Sequence, residues 1–313
     1  MRSTISLFLI PILLLFFLAS CATSKHRGRE GDNTGQETTL TVEDEKRMTQ
    51  EALPQMQKDY PPVQNPALQE YISELGDKIV KANKLGGNPY NYTFTAVKVD
   101  YVNAFALPAG TVFVTTPLIA MTENEAELAG VIGHEIGHIM ARHTAERMDA
   151  IEKNKTKDIL FTVGGGILGG AAGFGLGKLA CKKGDNECLA KATVGGAALG
   201  AGGTYLVQKY KYMANSREDE MEADRIGFRL TVKAGYSKDH VGTFYKKLLE
   251  MEKKYKGEEN GLMKSLGDAM STHPPSEERV QQMNEMAQTQ PAQKKPLLTS
   301  ERYLMAKEIV SGK

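Results

Sequence analysis

The sequence predicts an α+β fold that is mostly helical and contains a small β-sheet. Apolar residues recur at helical spacing in several stretches, and the clearest stripe is Leu68, Tyr71, Ile72, Leu75 and Ile79. Two stretches, 91–100 and 102–115, instead have strand-like patterns. The 313 residues are 41% hydrophobic and carry 39 basic and 38 acidic side chains. This composition suits one globular domain with appendages, and the balanced charge gives no indication of a nucleic-acid partner.

The first 20 residues have the pattern of a secretory signal peptide. Arg2 precedes an apolar core over 5–18, which ends in Leu18-Ala19-Ser20-Cys21. We assign 1–20 to a signal peptide rather than to an uncleaved transmembrane anchor, because the core is short and ends in small residues. Residues 18–21 also resemble a bacterial lipobox. That resemblance implies cleavage before Cys21, acylation of this cysteine and a lipid anchor in the membrane.

Ala22 bears on the membrane to which the chain is sorted. It is not the aspartate that often retains lipoproteins in the inner membrane, so the resemblance favours the outer membrane of a Gram-negative cell, facing the periplasm. Residues 21–41 are polar and predict a flexible tether. We place the globular domain at 42–290 and a C-terminal tail with one short amphipathic helix at 291–313.

Helical patterns begin and end the domain. Residues 42–83 predict helices that are interrupted at Pro54 and at Tyr60-Pro61-Pro62. Further helices are predicted at 238–255 and 277–286. Two histidines outside the motifs below, His143 and His240, are predicted to lie at the surface or the boundary of the domain.

The two strand-like stretches lie between these helices. The strand at 91–100 alternates at first, but Val97 and Val99 then break the alternation. The strand is therefore either buried on both faces near its end or bulged there. Residues 102–115 predict a strand pair that turns at Pro108-Ala109-Gly110.

One amphipathic helix is predicted over 123–148, and it contains His134-Glu135-x-x-His138. Histidines four apart share a helical face, so both ring nitrogens can reach one Zn²⁺ at roughly 2.0 to 2.1 Å. Glu135 lies beside this face, where its carboxylate can take a proton from a metal-activated water and pass it to a leaving amine. The tight spacing in an apolar run favours catalysis over a helix that merely exposes these side chains. Gly133 and Gly137 predict the close approach of another backbone.

A catalytic zinc site needs a third protein ligand and an open position. Ala141 and Thr144 exclude the extended metzincin motif, which needs Gly and His there. A second helical run, 205–234, has Glu220 and Asp224 four residues apart on one face. Glu220 can be the third ligand, and Asp224 can accept the free N–H of a ligating histidine. A solvated acidic patch is the alternative for this acidic run.

Together, His134-Glu135-x-x-His138 and Ser216-Arg217-x-x-Glu220-x-x-Ala223-Asp224 resemble the M48 zinc metallopeptidases. The similarity covers about 91–279 and includes 103–114 and Thr272-His273-Pro274. It implies a zincin-like metallopeptidase domain with one Zn²⁺ per chain. The chain departs from the family pattern at Ala109, where many relatives have Gly, and shows no long repeat array of the kind that some periplasmic members carry.

The resemblance also implies roles outside the two motifs. In some periplasmic relatives a loop histidine at the position of His273 approaches the zinc and keeps the enzyme latent; a role at the start of the next helix and substrate contact are the alternatives. Arg279 can support an oxyanion or the loop. A peptide substrate can add to a sheet edge by main-chain hydrogen bonds, and an ordinary hairpin is the alternative. The candidate edge is Asn103, Ala104, Phe105 and Ala106.

A glycine-rich insert occupies 159–208. Its blocks 159–177 and 192–208 carry no charge and flank Cys181 and Cys188. Three interpretations stay open: a soluble helical hairpin packed on the domain, a membrane-associated hairpin, and a mobile lid with glycine hinges. With Cys21 used for the lipid, we expect a Cys181–Cys188 disulfide in an oxidising compartment.

These features predict a lipid-anchored periplasmic zinc endopeptidase that cleaves misfolded or stalled envelope proteins, so its substrates are unfolded or misassembled chains. The alternative is a chaperone-like factor for outer-membrane protein assembly with a latent or structural zinc site, and the outer-membrane assembly machinery is then a candidate partner. A third hypothesis, intramembrane or CAAX-type proteolysis, requires the glycine-rich insert to span the lipid.

Overall fold

The computed structural model describes residues 38–87, 89–149, 215–255 and 261–312. The helices are α1 (Val42–Asp59), α2 (Pro66–Asn83), α3 (Thr116–Met121), α4 (Glu125–Met140), α5 (Arg217–Lys233), α6 (Thr243–Lys254), α7 (Gly261–Thr272), α8 (Glu277–Thr289) and α9 (Glu301–Ser311). The strands are β1 (Thr93–Val97), β2 (Ala104–Ala106) and β3 (Thr111–Thr115). The predicted fold class, α+β and mostly helical with a small sheet, is confirmed.

Several predictions concern residues outside these ranges. They are the signal peptide with Cys21, the insert 159–208 and the Cys181–Cys188 pair, and all three stay predictions. Among the described helices, none combines the length and the hydropathy that a membrane span requires.

The sheet has the strand order β1-β3-β2. β1 is parallel to β3, and their register runs without a bulge from Thr93↔Thr111 to Val97↔Thr115. β2 is antiparallel to β3 and is the outer strand on that side. Ala96 and Val97 are both buried, although they point to opposite faces of the sheet. Burial on both faces, not a bulge, therefore explains the broken alternation at the end of β1.

The prediction that Pro54 interrupts the first helix is wrong, because α1 continues through it. A proline inside a helix removes the hydrogen bond to the carbonyl four residues earlier, here that of Gln50. Both Pro54 and Gln50 are exposed, so water can solvate the freed carbonyl and the helix need not end.

The turn at Pro108-Ala109-Gly110 is a short 3₁₀ turn that joins β2 to β3. Ala109 lies in the left-handed region with φ of 64°. This conformation costs a residue with a Cβ atom roughly 1 to 2 kcal/mol, which is a physical reason for the glycine that the family resemblance leads us to expect at this position. Thr49 on α1 holds the turn by donating a 2.7 Å hydrogen bond to the Pro108 carbonyl.

Helices α4 and α5 form the most extensive helix contact of the described domain. A Cβ atom added to Gly133 would lie 2.9 Å from the Gly227 carbonyl oxygen, and one added to Gly137 would lie 2.7 Å from that of Ala223. The predicted close approach of another backbone to Gly133 and Gly137 is confirmed, and that backbone is α5. The crossing brings the two sequence motifs together.

The predicted bounds of these two helices need correction. α4 ends at Met140, because Arg142 adopts a left-handed conformation with φ of 57°, and the chain becomes helical again at 143–149. The predicted second run, 205–234, falls partly outside the described residues. Its described part becomes helical only at Arg217, where the Ser216 hydroxyl and the Asp219 carboxylate form a capping box.

The described part of the predicted C-terminal tail, 291–312, lies against the domain. Tyr303 on α9 is 1% exposed and donates a 2.8 Å hydrogen bond to the Thr122 carbonyl, next to the start of α4. The Ser237 amide also donates to the Leu297 carbonyl at 2.9 Å. α7, which precedes the His273 loop, was not predicted from the sequence.

Candidate active site

Two helices supply three clustered metal-ligand atoms. His134 and His138 lie one turn apart on α4, and their Nε2 atoms are 2.9 Å apart. Glu220, in the first turn of α5, places its carboxylate 3.1 Å from His138 Nε2 and 3.4 Å from His134 Nε2. All three residues are buried. The helix crossing thus converts two separate i, i+4 motifs into one cluster.

His273 adds a fourth ligand atom from the loop after α7. Its Nδ1 is 3.3 Å from His134 Nε2 and 3.1 Å from the Glu220 carboxylate. Atoms that bind one Zn²⁺ tetrahedrally at roughly 2.0 to 2.1 Å lie roughly 3.3 Å from one another. The observed separations run from 2.9 to 3.4 Å, and all four ligand atoms lie within 4.8 Å of one another, so the four residues fit a zinc ion.

Two buried charged residues, Asp224 and Arg279, contact the ligand side chains. Asp224 Oδ1 lies 2.7 Å from His134 Nδ1, the nitrogen that does not face the cluster. Arg279 is 1% exposed and donates to Asp224 at 2.6 and 2.7 Å, while its Nη1 lies 2.7 Å from the Glu220 carboxylate. It also donates to the Pro274 carbonyl at 3.2 Å. Of the two roles predicted for Arg279, support of the loop is the one for which the structure contains the contacts.

Glu135 lies beside this cluster and is 2% exposed. Its carboxylate is 3.5 Å from His273 Nε2. Burial raises the pKa of Glu135 above its usual range. A carboxyl group with a pKa closer to neutral can accept a proton in one step and return it in the next, as a general base and acid must.

Comparison with known proteins settles the family. A model described as peptidase family M48 matches residues 66–287, more than half of the chain. The chain belongs to peptidase family M48. This confirms the resemblance seen in the sequence motifs, and the cluster can bind zinc, the metal of M48 metallopeptidases.

The relatives of this M48 chain are proteases by name, and one of them is named as mitochondrial. The beta-barrel assembly-enhancing protease of Yersinia pestis is 27% identical over 275 residues, 88% of this chain and 50% of the relative. The metalloprotease LoiP of Escherichia coli is 29% identical over 223 residues, 70% of this chain and 72% of the relative. The mitochondrial metalloendopeptidase OMA1 of Arabidopsis thaliana is 33% identical over 183 residues, 58% of this chain and 29% of the relative. The chain spans about half the length of the beta-barrel assembly-enhancing proteases that it matches.

Burial and the charges of this M48 site set the protonation states of its ligands. Burial alone would raise the pKa of Glu220, but the charges of His273, Arg279 and His134 outweigh it and hold that pKa well below its usual range. Burial, followed by the charge on His134, lowers the pKa of His138. Burial also opposes the charged form of His134, yet the Glu220 carboxylate and its neighbours raise its pKa to about 9. Glu220 and His138 are therefore in ligating form at neutral pH, whereas His134 must lose a proton.

Asn215 is a site residue that the sequence did not reveal. Its Nδ2 donates to the Glu220 carboxylate and, at 3.1 Å, to the Thr272 carbonyl. The same atom is 3.2 Å from His273 Nδ1. Asn215 therefore ties the start of α5 to the loop that carries His273. A lone asparagine before a capping serine carries no sequence signal for this role.

His143 corrects a prediction, because it is fully buried and not at the surface or boundary. Its Nδ1 lies 2.8 Å from His138 Nδ1, on the side opposite the ligand cluster. Its Nε2 lies 3.2 Å from the Glu222 carboxylate. Its position five residues after His138 was the one sequence feature that could have indicated this contact. In a continuous helix, however, the His143 side chain would point away from His138.

The candidate substrate edge lies on β2, which packs against α4. The Asn103 carbonyl and the Leu107 amide bond to β3. Because backbone groups alternate along a strand, Ala104 and Ala106 direct their N–H and C=O groups to the side of β2 that faces away from β3. Within the described residues, no side chain or backbone group of another element bonds to these groups. The geometry fits the predicted edge, whose role stays a prediction.

Zinc held by these residues supplies a Lewis acid, the chemistry that polarises a peptide carbonyl and activates water. The chain's own residues supply the rest. His134, His138 and Glu220 would hold the ion, Asp224 and Arg279 contact these ligands, and Glu135 lies beside them, where its carboxylate would be the group to take up a proton. This arrangement is suited to the hydrolysis of a peptide bond.

Proposed function

We propose that this chain is a zinc-dependent endopeptidase that hydrolyses misfolded or stalled envelope proteins in the periplasm. The observation that carries the proposal is the buried cluster of His134, His138 and Glu220 with Glu135 beside it, on an M48 domain. The names of its relatives, which include beta-barrel assembly-enhancing proteases and a metalloprotease, support the envelope role.

The proposal includes a latent resting form. His273 supplies a fourth ligand atom, whereas a catalytic zinc site keeps three protein ligands and one open position. Three contacts hold the loop: the His273 amide donates to the Ala269 carbonyl at 2.8 Å, Asn215 bonds to Thr272, and Arg279 bonds to Pro274. In this proposal His273 leaves the cluster before substrate enters, and its 11% exposed side chain lies on the solvent side of the site.

The substrate class follows from the edge of β2. The outward groups of Ala104 and Ala106 are the donors and acceptors that an extended chain needs in order to add as a further strand. Main-chain pairing selects unfolded segments with little regard to side-chain identity, which suits misfolded or stalled proteins. Ala106→Pro removes an outward N–H and should weaken binding of a peptide substrate, whereas Ala106→Val keeps the N–H and should not.

The test is cleavage of one protein in two states. We expect the purified full chain with His273→Ala to cleave reduced, unfolded α-lactalbumin and to leave its disulfide-intact folded form uncut. Equal cleavage of both forms would remove unfolded chains as the substrate class. No cleavage of either form, with zinc bound, would favour the second candidate function.

That second candidate is a chaperone-like factor for outer-membrane protein assembly with a latent or structural zinc site. The closed set of four ligand atoms and the words "beta-barrel assembly-enhancing" in the relatives' names favour it. Glu135→Gln discriminates the two in cells that lack the wild-type chain. A binding role survives this substitution, whereas a peptidase role is lost.

The location is proposed with the function. We propose that the chain is anchored in the outer membrane through a lipid on Cys21, with the domain in the periplasm and the outer-membrane assembly machinery as a candidate partner. Fractionation of wild type and Cys21→Ala tests the anchor. Wild type is expected in the outer-membrane fraction and the variant outside it; identical fractionation would refute the lipid anchor.

A further inference from the structure

The two metal-binding histidines of α4 are supported differently. His134 Nδ1 lies 2.7 Å from a carboxylate oxygen of Asp224, the common arrangement for a histidine ligand. His138 Nδ1 instead lies 2.8 Å from the ring of another histidine, His143. The next contact outward is between His143 Nε2 and the Glu222 carboxylate, at 3.2 Å. A carboxylate thus lies behind each ligand, but behind His138 it is one imidazole further away.

Glu222, His143 and His138 form a row of side chains, and the carboxylate at its outer end decides which atoms donate and which accept. Glu222 as a carboxylate can only accept, so His143 Nε2 carries the hydrogen and donates it. In the neutral imidazole the other nitrogen, Nδ1, then accepts. His138 must therefore donate from its own Nδ1, which leaves the lone pair of Nε2 free to face His134 and Glu220.

The backbone places His143 for this contact. In a continuous helix, a residue five positions after His138 would be rotated by roughly 140° from it around the axis. The left-handed Arg142 breaks the helix and returns the chain toward α4. Arg142 is itself held by Glu45 on α1, whose carboxylate accepts from Arg142 Nε at 2.6 Å. A long-range ion pair thus fixes the bend that brings His143 to His138.

We propose that His143 and Glu222 are positioning residues that fix the tautomer and the ring orientation of His138 for metal binding. His143 is fully buried, so contact with water does not explain a polar ring at this position. Its two nitrogens are matched by one donor and one acceptor from different elements, α4 and α5. This inference rests on the zinc site of the proposed function, not on any particular substrate.

The test compares two substitutions of similar size at His143. Asparagine keeps an acceptor oxygen near the position of Nδ1, whereas leucine has none. In the purified full chain, we expect His143→Leu to weaken zinc binding by roughly 10- to 100-fold, the usual effect of losing such a partner. His143→Asn should stay within a few-fold of wild type. Zinc affinity is measured by competition with a chromophoric chelator at pH 7, and His240→Leu serves as the control that leaves affinity unchanged.

A double-mutant cycle shows whether Glu222 acts on zinc binding through His143 or only stabilises the surrounding structure. If Glu222 acts through His143, Glu222→Leu weakens zinc binding in the wild type but adds no further loss to His143→Leu. Fully additive losses would overturn the inference, and so would equal zinc affinity of His143→Leu and wild type, or equal weakening by leucine and asparagine. Thermal unfolding of the zinc-free variants establishes that they are folded. If His143→Leu does not fold, the zinc affinities of Glu222→Leu and Glu222→Gln are compared instead, because glutamine keeps an acceptor and leucine does not. Equal zinc affinities of these two variants would overturn the inference.

These measurements do not depend on cleavage. If the proposed role of His143 and Glu222 is refuted, the peptidase proposal stays intact, because that proposal rests on Glu135 and the four ligand atoms. Conversely, a chain that binds zinc without cleaving any substrate can still show the difference between His143→Leu and His143→Asn.

Discussion

Replacing Gly227 with alanine tests whether the metal site depends on the close crossing of α4 and α5. A Cβ atom at Gly227 would lie 2.6 Å from the His134 amide nitrogen and 2.7 Å from the Gly133 carbonyl carbon. Ordinary van der Waals contact needs roughly 3.4 Å or more, so α5 must move away from α4 by on the order of 0.8 Å. Both neighbouring atoms are backbone atoms of the helix that carries the histidines, and they cannot rotate aside.

The displacement has two consequences. Overpacking of this kind costs about 1 to 3 kcal/mol of unfolding free energy. Glu220 lies two turns before Gly227 on the same helix and moves with it, away from His134 and His138. A misplacement approaching 1 Å in a reacting group reduces turnover by roughly 100-fold, so we expect a loss of that order in cleavage together with weaker zinc binding.

The assays are urea unfolding, zinc competition and cleavage of unfolded protein. Gly267→Ala is the matched control, since this glycine lies inside α7 and an added Cβ atom would meet nothing within 4 Å. The control should gain roughly 0.8 to 1 kcal/mol from the better helix propensity of alanine and keep wild-type zinc affinity. If Gly227→Ala unfolds at the wild-type midpoint with unchanged zinc affinity, the dependence of the site on this crossing is refuted.

Three further predictions concern charge, pH and the C-terminal segment. Arg279→Leu leaves two carboxylates buried without their partner and should cost about 3 to 5 kcal/mol in chemical unfolding; Arg302→Leu, at an exposed ion pair, should leave the midpoint unchanged. His134, whose pKa is about 9, is charged at pH 7, so zinc binding must displace its proton. Zinc affinity should therefore rise by about tenfold per pH unit from pH 7 to 9 and then level off. Calorimetric titrations in which zinc affinity does not change with pH would contradict this. Tyr303→Ala should destabilise the domain by about 3 to 5 kcal/mol, as for a buried aromatic residue, whereas Leu304→Ala, 53% exposed, should not lower the melting temperature measurably.

The ligand residues could be predicted from the sequence because their geometry is local. His134 and His138, like Glu220 and Asp224, are four apart on helices, and helical spacing alone places each pair on one face. The glycines of α4 likewise indicated a close neighbour. Which helix would be that neighbour required the fold, since α5 begins more than 70 residues after α4 ends.

Two of the missed features depend on contacts between distant residues, and one depends on solvent exposure. His143 is buried because Arg142 bends the chain, and Arg142 is held by Glu45 from the other end of the domain. Pro54 does not end α1, because its exposed position lets water replace the lost hydrogen bond. Asn215 reaches the ligands only because the loop after α7 folds back onto α5. Neither long-range contacts nor solvent exposure can be predicted from the local sequence pattern.

The central claim is that zinc held by His134, His138 and Glu220 works with Glu135 to hydrolyse peptide bonds. The most direct test measures zinc content and casein cleavage in the same preparations of wild type, His273→Ala and His273→Ala with Glu135→Gln. We expect one zinc per chain in all three, cleavage by His273→Ala at or above the wild-type rate, and none when Glu135→Gln is added. Cleavage that persists without the Glu135 carboxylate, at the rate of His273→Ala, would contradict the account.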